Sequence, residues 1–364
     1  MSIKKRNIKI EIILFACFAI LFLRALPEAW KEKSKGLSSS VYAEKEDEQA
    51  TGNMLVVEYA TGNDTILNRQ VGGIWIPTPT VPPTPLPTAT PVPTYGPAPE
   101  RSVKVADIVG KKYVLEDLLN VTYLKENLYI VNATTKMTET DFDAEYFISK
   151  DLSLQIPDNP EEPQILIFHT HASEGFADSR PGETEDTVVG VGTLLAEVLE
   201  EKYGYQVMHD TTVFDRKNGK DNRNFAYNDA LTHLEQLLKE YPSIEVVIDL
   251  HRDAGEKRVV TVNGRQTAKV MLFNGLCRNT KGKLTYLPND NLKDNLAFSF
   301  QMKLIGDEMY PGLMNRIFLK DYRYNMHLKE RFLLVELGTE KNTVEEAKNA
   351  MEPLADVLHQ VLGG

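Results

Sequence analysis

The chain has 364 residues, with 41 lysines and arginines against 52 aspartates and glutamates, so its formal net charge at neutral pH is -11. No basic patch stands out beyond the extreme amino terminus, which argues against a partner such as nucleic acid whose backbone charge must be neutralised. The two cysteines, Cys17 and Cys277, exclude a disulfide framework within the chain and are too few to supply a metal site.

An apolar run near the amino terminus is the first predicted element. Residues 8–26 approach the roughly 20 residues that span a bilayer, and basic residues precede them. We therefore expect residues 1–26 to be a cytoplasmic tail and transmembrane signal anchor, which makes the protein a single-pass protein of the cell membrane with an extracytoplasmic folded part. A cleaved signal peptide is the alternative, because Val41, Tyr42 and Ala43 resemble a cleavage site, although they lie well beyond the apolar run.

Residues 27–100 are predicted to be a disordered, Pro/Thr-rich spacer. The first part is polar and has no sustained helical or strand period. From Ile76 to Pro99, ten of the chain's 19 prolines alternate with threonine and other small residues, which favours an extended polyproline conformation. Residues 101–160 are expected to form a lead-in segment that packs on a catalytic domain covering residues 161–364.

After Pro163, short apolar runs alternate with stretches of helical spacing. The predicted strands are Ile165 to Phe168, Tyr205 to Met208, Ile244 to Leu250 and Phe332 to Glu336, and the predicted helices are Val188 to Tyr203, Ala226 to Glu240 and Thr343 to Val361. This alternation predicts an α/β fold with a largely parallel central sheet and helices on both faces.

Ionisable residues stand at the ends of three predicted strands: His169 and His171, then His251, Arg252 and Asp253, and finally Glu336. The carboxyl ends of parallel strands share one edge of a sheet, and ligand sites form in the crevice at that edge. Residues far apart in the sequence are therefore expected to meet there.

The residue types at these strand ends suit a zinc hydrolase, which holds its ion with three nitrogen or oxygen ligands and leaves a fourth position for water. The spacing of His171 and Glu174 lets one tight loop present both to an ion, and His251 would complete the set. Glu336 could then act as general base. His169 competes with His171, and we favour His171 as the ligand and His169 as a residue that supports a ligand or contacts substrate.

Three further residues are candidates for the same site. Asp253 could orient a histidine, and Arg252 could bind a substrate carboxylate or carbonyl, although an arginine beside an acid is also common as a purely structural pair. Arg223 could line the cleft, together with Tyr227 and Asn325, while Tyr227 fits a helix core position equally well.

Several segments of the chain resemble the stage II sporulation protein P family. They are ILIFHTHASEGF at Ile165 to Phe176, DLHRDA at Asp249 to Ala254, YPGL at Tyr310 to Leu313, RYN at Arg323 to Asn325 and VELGTEKNTVEEA at Val335 to Ala347. The similarity covers most of residues 125–364, and the anchor and spacer also suit that family.

The resemblance implies a zinc-dependent N-acetylmuramoyl-L-alanine amidase, which cuts peptidoglycan during spore engulfment, has endopeptidase activity as well, and works beside stage II sporulation proteins D and M. The wider amidase family has a catalytic glutamate in a motif similar to the segment at Glu336. That family takes its glutamate ligand from a position near Asp186, where no glutamate stands here. The pair His171 and Glu174 instead resembles the ligands of zinc carboxypeptidases. Glu183, Glu185 or Asp186 are the alternatives to Glu174 as the carboxylate ligand.

Two other functions remain open at this point. A metallopeptidase that acts chiefly on peptide cross-links would use the same ligands. A wall-binding scaffold without activity would need only the acidic ectodomain and the long spacer.

Overall fold

The computed structural model describes residues 95–96, 104–109, 112–154 and 161–363. The chain divides after Thr94 into two units, and all of these residues belong to the second, Tyr95–Gly364. The predicted anchor and the spacer up to residue 94 lie outside the described residues. Within the described ranges, no helix combines the length and the apolar character needed to cross a membrane.

The described residues form short strands and helices in an alternating order. The strands are β1 (Tyr129–Val131), β2 (Ile165–Phe168), β3 (Val207–His209), β4 (Arg216–Lys217), β5 (Lys220–Asp221), β6 (Val246–Asp253), β7 (Val259–Val262), β8 (Arg265–Ala268), β9 (Val270–Gly275), β10 (Ile317–Lys320) and β11 (Arg331–Thr339). The helices are α1 (Val105–Ile108), α2 (Leu115–Leu118), α3 (Val121–Asn127), α4 (Ala144–Ser149), α5 (Val188–Tyr203), α6 (Ala226–Glu240), α7 (Leu292–Met309), α8 (Val344–Lys348) and α9 (Met351–Val361).

Seven strands form the central sheet, in the order β1-β10-β9-β11-β6-β2-β3. Every neighbouring pair is parallel except β9 and β11, which are antiparallel. The predicted α/β fold with a largely parallel sheet is therefore confirmed. The antiparallel direction of β9 was not predicted. The β7–β8 hairpin returns the chain to the end of the sheet where β6 finishes, so β9 starts there and runs in the opposite direction to β6.

The two faces of the sheet bury different side chains. Ile165 and Ile167 of β2 belong to a core that includes buried residues of α5, α7 and α9. Leu166 and Phe168, which alternate with them, belong to a second core that includes buried residues of α6. Because successive side chains of a strand point to opposite faces, the unbroken apolar run of β2 requires cover on both sides. Helices on both faces were predicted, and this is confirmed.

The carboxyl-terminal helical stretch differs from its prediction. The structure has two helices, α8 and α9, instead of one continuous helix over Thr343 to Val361. Thr343 begins α8 with a capping box that it shares with Glu346. Pro353 has no backbone N–H and is tolerated only in a first helical turn, so a new helix starts just before it.

The described part of residues 101–160 packs within the same compact unit as the rest of the domain. β1 is an edge strand of the central sheet and pairs with β10. Leu118, Leu124 and Phe147 are buried in the core that α7 also lines. The lead-in segment thus supplies one strand of the sheet as well as covering helices.

Candidate metal centre

Three strand ends meet at one edge of the sheet. β11, β6 and β2 are consecutive neighbours, and their parallel pairing sets Glu336 beside His251 and Phe168 beside Asp249. The chain continues from Phe168 through His171 to Glu174 in a turn at this edge. Strand pairing therefore brings residues that are far apart in the sequence to the same edge of the sheet.

His171, Glu174 and His251 form a buried group that could hold a metal ion. One ligand atom from each lies within 4.8 Å of the others. Glu174 lies between the two histidines, with Oε1 3.6 Å from Nδ1 of His171 and Oε2 3.4 Å from Nδ1 of His251. The three side chains that we predicted as ligands are thus brought together by the fold.

The donor set at this group fits zinc. Two imidazoles and a carboxylate are the protein ligands of a common class of catalytic zinc site. In addition, Nε2 of His171 is buried without a hydrogen-bond partner among the described residues, which is costly unless something else binds it. Burial also lowers the pKa of His171, so this imidazole is neutral and available to a metal, whereas a metal would have to displace a proton from His251, whose pKa is raised.

Glu174 is held in place by two arginines. Nη2 of Arg223 donates to Oε1 at 3.0 Å, and the backbone N–H of Arg252 donates to Oε2 at 3.0 Å. Burial by itself raises the pKa of Glu174, but the contacts with His171 and His251 outweigh it and keep the pKa well below its ordinary value. The carboxylate is therefore ionised and oriented toward the two histidines.

Asp249 supports His251 from the opposite side. Its Oδ1 lies 2.7 Å from Nε2 of His251, while Thr170 donates its N–H and its hydroxyl to the two carboxylate oxygens at 2.8 and 2.7 Å. Burial by itself lowers the pKa of His251, but Asp249 and then Glu174 outweigh it, so this pKa lies well above its ordinary value. A carboxylate behind a ligating histidine fixes its ring and raises its basicity.

Sequence reasoning missed Asp249, although the sequence contains a signal for it. The residue interrupts the apolar run of β6 and is fully buried, and a buried carboxylate needs a partner. It stands two positions before His251, so both side chains point to the same face of the strand. The aspartate that contacts His251 is therefore Asp249, whereas Asp253 pairs with Arg258 at 2.7 Å.

Glu336 lies at the same edge of the sheet without a hydrogen-bond partner for one carboxyl oxygen. It is half-buried, and its Oε2 is shielded from solvent with no partner among the described residues. Burial, reinforced by the charge of Glu174, raises the pKa of Glu336 to about 8. A carboxyl group with such a pKa can both accept and return a proton near neutral pH.

His169 points to the other face of the sheet. Its Nδ1 lies 2.8 Å from the carbonyl of Leu250, so this nitrogen donates, and its Nε2 accepts from Nε2 of His209 at 2.9 Å. The pair packs under α5, where a Cβ added to Gly192 would come within 2.7 Å of His169. The structure thus separates His169 from the metal group and leaves it in contact with the residue before His251.

The remaining candidates divide between the site and its surroundings. Besides Glu174, Arg252 binds the carbonyl of Gly175 through Nε at 3.0 Å. The ring of Tyr227 stacks on His251 with centroids 6.4 Å apart and meets His171 edge-on, while Asn325 donates to the carbonyl of Tyr227.

The three alternative carboxylate ligands, Glu183, Glu185 and Asp186, do not lie in the metal group. Asp186 accepts two hydrogen bonds from the side chain of Arg180, at 2.6 and 3.0 Å, and one from its backbone N–H at 3.0 Å. Glu183 and Glu185 are exposed side chains near the start of α5.

The comparison with protein families matches the sequence model described as Stage II sporulation protein P to residues 106–359. A curated relative with the same description, from Bacillus subtilis (strain 168), is 27% identical over 214 residues, which are 54% of this chain and 50% of the relative. The match thus spans about half the length of that relative.

Solved structures with a similar arrangement include three N-acetylmuramoyl-L-alanine amidases. Ami1 from Mycobacterium smegmatis is 12% identical, with a TM-score of 0.35, and the match covers 56% of this chain and 98% of Ami1. The amidase from Clostridium difficile 630 is 14% identical, with a TM-score of 0.33 and coverages of 56% and 96%. AmiC2 of Nostoc punctiforme is 12% identical, with a TM-score of 0.32 and coverages of 55% and 94%. Scores of this size support no inference about activity.

Proposed function

Because the chain belongs to the stage II sporulation protein P family, we propose that it is a peptidoglycan hydrolase of sporulation, a zinc-dependent N-acetylmuramoyl-L-alanine amidase anchored in the cell membrane. The observation that carries the proposal is the convergence of His171, Glu174 and His251 within 4.8 Å of one another, with Glu336 registered beside His251. An amidase-like or carboxypeptidase-like assignment of the fold belongs to the same proposal.

The ligand residues have distinct tasks in this proposal. His171, Glu174 and His251 would hold zinc, which when bound supplies Lewis-acid chemistry that activates water and polarises the amide carbonyl. Asp249 keeps the ring of His251 in position. Arg223 and the backbone of Arg252 keep the carboxylate of Glu174 in position, so the site needs little rearrangement to bind an ion.

Glu336 is the group that moves the proton. Its carboxylate takes a proton from the attacking water, and the resulting carboxylic acid returns it to the leaving amide nitrogen as the bond to the lactyl carbonyl breaks. The raised pKa of Glu336 suits this exchange, because the acid and base forms are both accessible near neutral pH. One of its carboxyl oxygens has no hydrogen-bond partner among the described residues and is therefore a free acceptor for the attacking water.

A Glu336→Gln variant of the full-length protein tests this role. We expect it to keep its zinc but to solubilise purified cell wall at least about a hundredfold more slowly than the parent, the usual size of a general-base contribution. Glu345→Gln, which changes an exposed glutamate of α8, is the matched control and should digest wall normally. Digestion by Glu336→Gln at the parental rate would show that another group moves the proton.

Mass spectrometry of the digest identifies the bond that is cut. Intact peptides freed from sugar indicate an amidase, whereas cut cross-links with sugar still attached indicate a metallopeptidase. Absence of bound zinc, together with full biological activity of a His251→Ala strain, would instead favour a scaffold without activity.

The anchor and the partners belong to the same proposal. The apolar run and the preceding basic residues support an anchor with the catalytic domain outside the cytoplasm. Protease added to intact cells should then remove the folded domain. Stage II sporulation proteins D and M are proposed partners by family resemblance, and recovery of neither one with the full-length protein from detergent extracts would count against them.

A further inference from the structure

A small hairpin lies next to the metal-binding loop. Residues 214–223, here called the hairpin arm, contain the antiparallel strands β4 and β5 joined by Asn218 and Gly219. Both joining residues have positive φ, 52° and 74°, as the tight two-residue turn of a hairpin requires. The tip of the arm is thus fixed in shape.

The start of the arm is tied to the loop that carries two of the proposed ligands. The carboxylate of Asp215 is buried and accepts hydrogen bonds from Ser173, through the N–H at 3.2 Å and the hydroxyl at 2.5 Å. Ser173 stands between His171 and Glu174. Phe214, the preceding residue, is buried in the core beneath α6.

The end of the arm is tied to the same loop. Arg223 donates to Glu174 at 3.0 Å, and the side chain of Asn222 donates to the carbonyl of Phe214 at 2.8 Å, which closes the base of the hairpin. Because both ends are fixed, the tip lies only a few residues from the metal group on either side. An extended chain advances roughly 3.3 Å per residue, so the tip lies at most about 13 Å from the residues that anchor the arm.

Three of the four exposed charged side chains of the arm are cations, in a protein whose net charge is -11. The fourth is Asp221, which lies opposite Arg216 across the hairpin. Arg216, Lys217 and Lys220 are exposed, and Lys217 lies directly opposite Lys220 across the hairpin. Like charges in that position destabilise a hairpin. Asp229 lies 3.8 Å from Lys217, whereas Lys220 forms no ion pair within the described residues. The juxtaposition of Lys217 and Lys220 therefore does not serve the stability of the hairpin itself.

We propose that the hairpin arm is a substrate-binding element of the site, in which Arg216, Lys217 and Lys220 bind carboxylates of the wall peptide while Asp215 and Arg223 fix the arm to the metal-binding loop. This inference rests on the proposed function, because it takes peptidoglycan as the substrate. The peptides of the wall carry free carboxylates, and an amide bond at the metal group places the attached peptide beside the arm.

The test measures binding separately from hydrolysis. The full-length Glu336→Gln protein is co-sedimented with purified wall from which phosphodiester polymers have been stripped. We expect the added substitutions Arg216→Gln, Lys217→Gln and Lys220→Gln to weaken binding roughly three- to tenfold, the size expected for three exposed ion pairs. In protein that retains Glu336, the same triple change should raise KM and leave kcat unchanged.

A second triple variant controls for net charge. Lys239→Gln, Lys281→Gln and Lys283→Gln also remove three exposed cations. Lys239 lies in the last turn of α6, far from Arg223, and the two others follow β9, whose carboxyl end is at the opposite edge of the sheet from Glu336. This control should bind the wall within about twofold of the parent.

Amidation of the wall carboxylates should abolish the difference between the arm variant and the control. Equal binding by the two triple variants would overturn the proposal, and so would an arm effect that appears only on wall with its phosphodiesters intact. If the triple arm variant loses zinc or helical circular dichroism, the single change Lys220→Gln provides the same comparison. A parent that binds wall through the arm but hydrolyses nothing would refute the proposed function and leave this inference standing.

Discussion

Replacing Asp249 with asparagine should destabilise the metal-free protein, and more so in mildly acidic than in alkaline solution. In the parent protein, Oδ1 of the buried Asp249 lies 2.7 Å from Nε2 of His251. Burial raises the pKa of Asp249, but His251 outweighs it, so the pKa is lowered and the carboxylate is charged at neutral pH. Asparagine keeps an acceptor for Thr170 but removes the charge that faces the imidazole.

The size and sign of the effect follow from the state of His251. Its folded-state pKa lies well above the unfolded value near 6.5, so the imidazolium stabilises the folded protein fully below about pH 6.5 and loses that contribution as the pH rises through the folded-state pKa. Removing the charged partner from a buried ion-pair contact such as this one costs roughly 2–3 kcal/mol. We therefore expect the free energy of unfolding of Asp249→Asn to be lower than that of the parent by about 2–3 kcal/mol near pH 6, and this deficit to shrink toward about 1 kcal/mol near pH 9.

Urea unfolding of chelator-treated protein at the two pH values measures this deficit. Asp215→Asn is the matched control, because Asp215 is equally buried but binds Ser173 and no histidine. Its deficit should be the same at both pH values. The reasoning about Asp249 fails if its deficit is below about 0.5 kcal/mol near pH 6, or if it does not change with pH.

Three further outcomes are expected. The free energy of unfolding of metal-free Glu336→Gln should match that of the parent near pH 4 and exceed it by roughly 1–3 kcal/mol near pH 9. The reason is that Glu336 has a folded-state pKa of about 8, so the parent loses stability as the pH rises from about 4.5. Denaturant titration measures this difference. His169→Gln should retain about one zinc per chain whereas His171→Gln should not, as metal analysis of purified protein would show. Gly192→Ala should cost about 1–3 kcal/mol in thermal unfolding, because its Cβ would lie 2.7 Å from His169 and 2.9 Å from His209.

The pattern of apolar residues was sufficient to predict the central elements of the fold. β2 and α6 have the predicted bounds, and α5 ends at Gly204, whose φ of 73° allows the left-handed cap that stops a helix. These elements are long or strongly periodic, and their ends carry local signals. The reversal at β9 had no such signal, because strand direction depends on which neighbours a strand meets after the chain has turned.

The candidate site was also partly predictable from the sequence. A parallel sheet brings its carboxyl strand ends to one edge, so the sequence alone indicated that His171, Glu174, His251 and Glu336 would lie together. The roles of His169 and Asp249 depended on which face of the sheet each side chain occupies.

What the sequence determined, then, is the set of elements and the edge at which the chemistry gathers, because both follow from periodicity and from the direction of parallel strands. Only the tertiary structure decided that His169 turns away beneath α5, that Asp249 supports His251, and that the hairpin arm is fixed to the metal-binding loop by Asp215 and Arg223. Each of these contacts joins side chains from different elements, and the pairing of such elements is set by packing, which no local run of residues encodes.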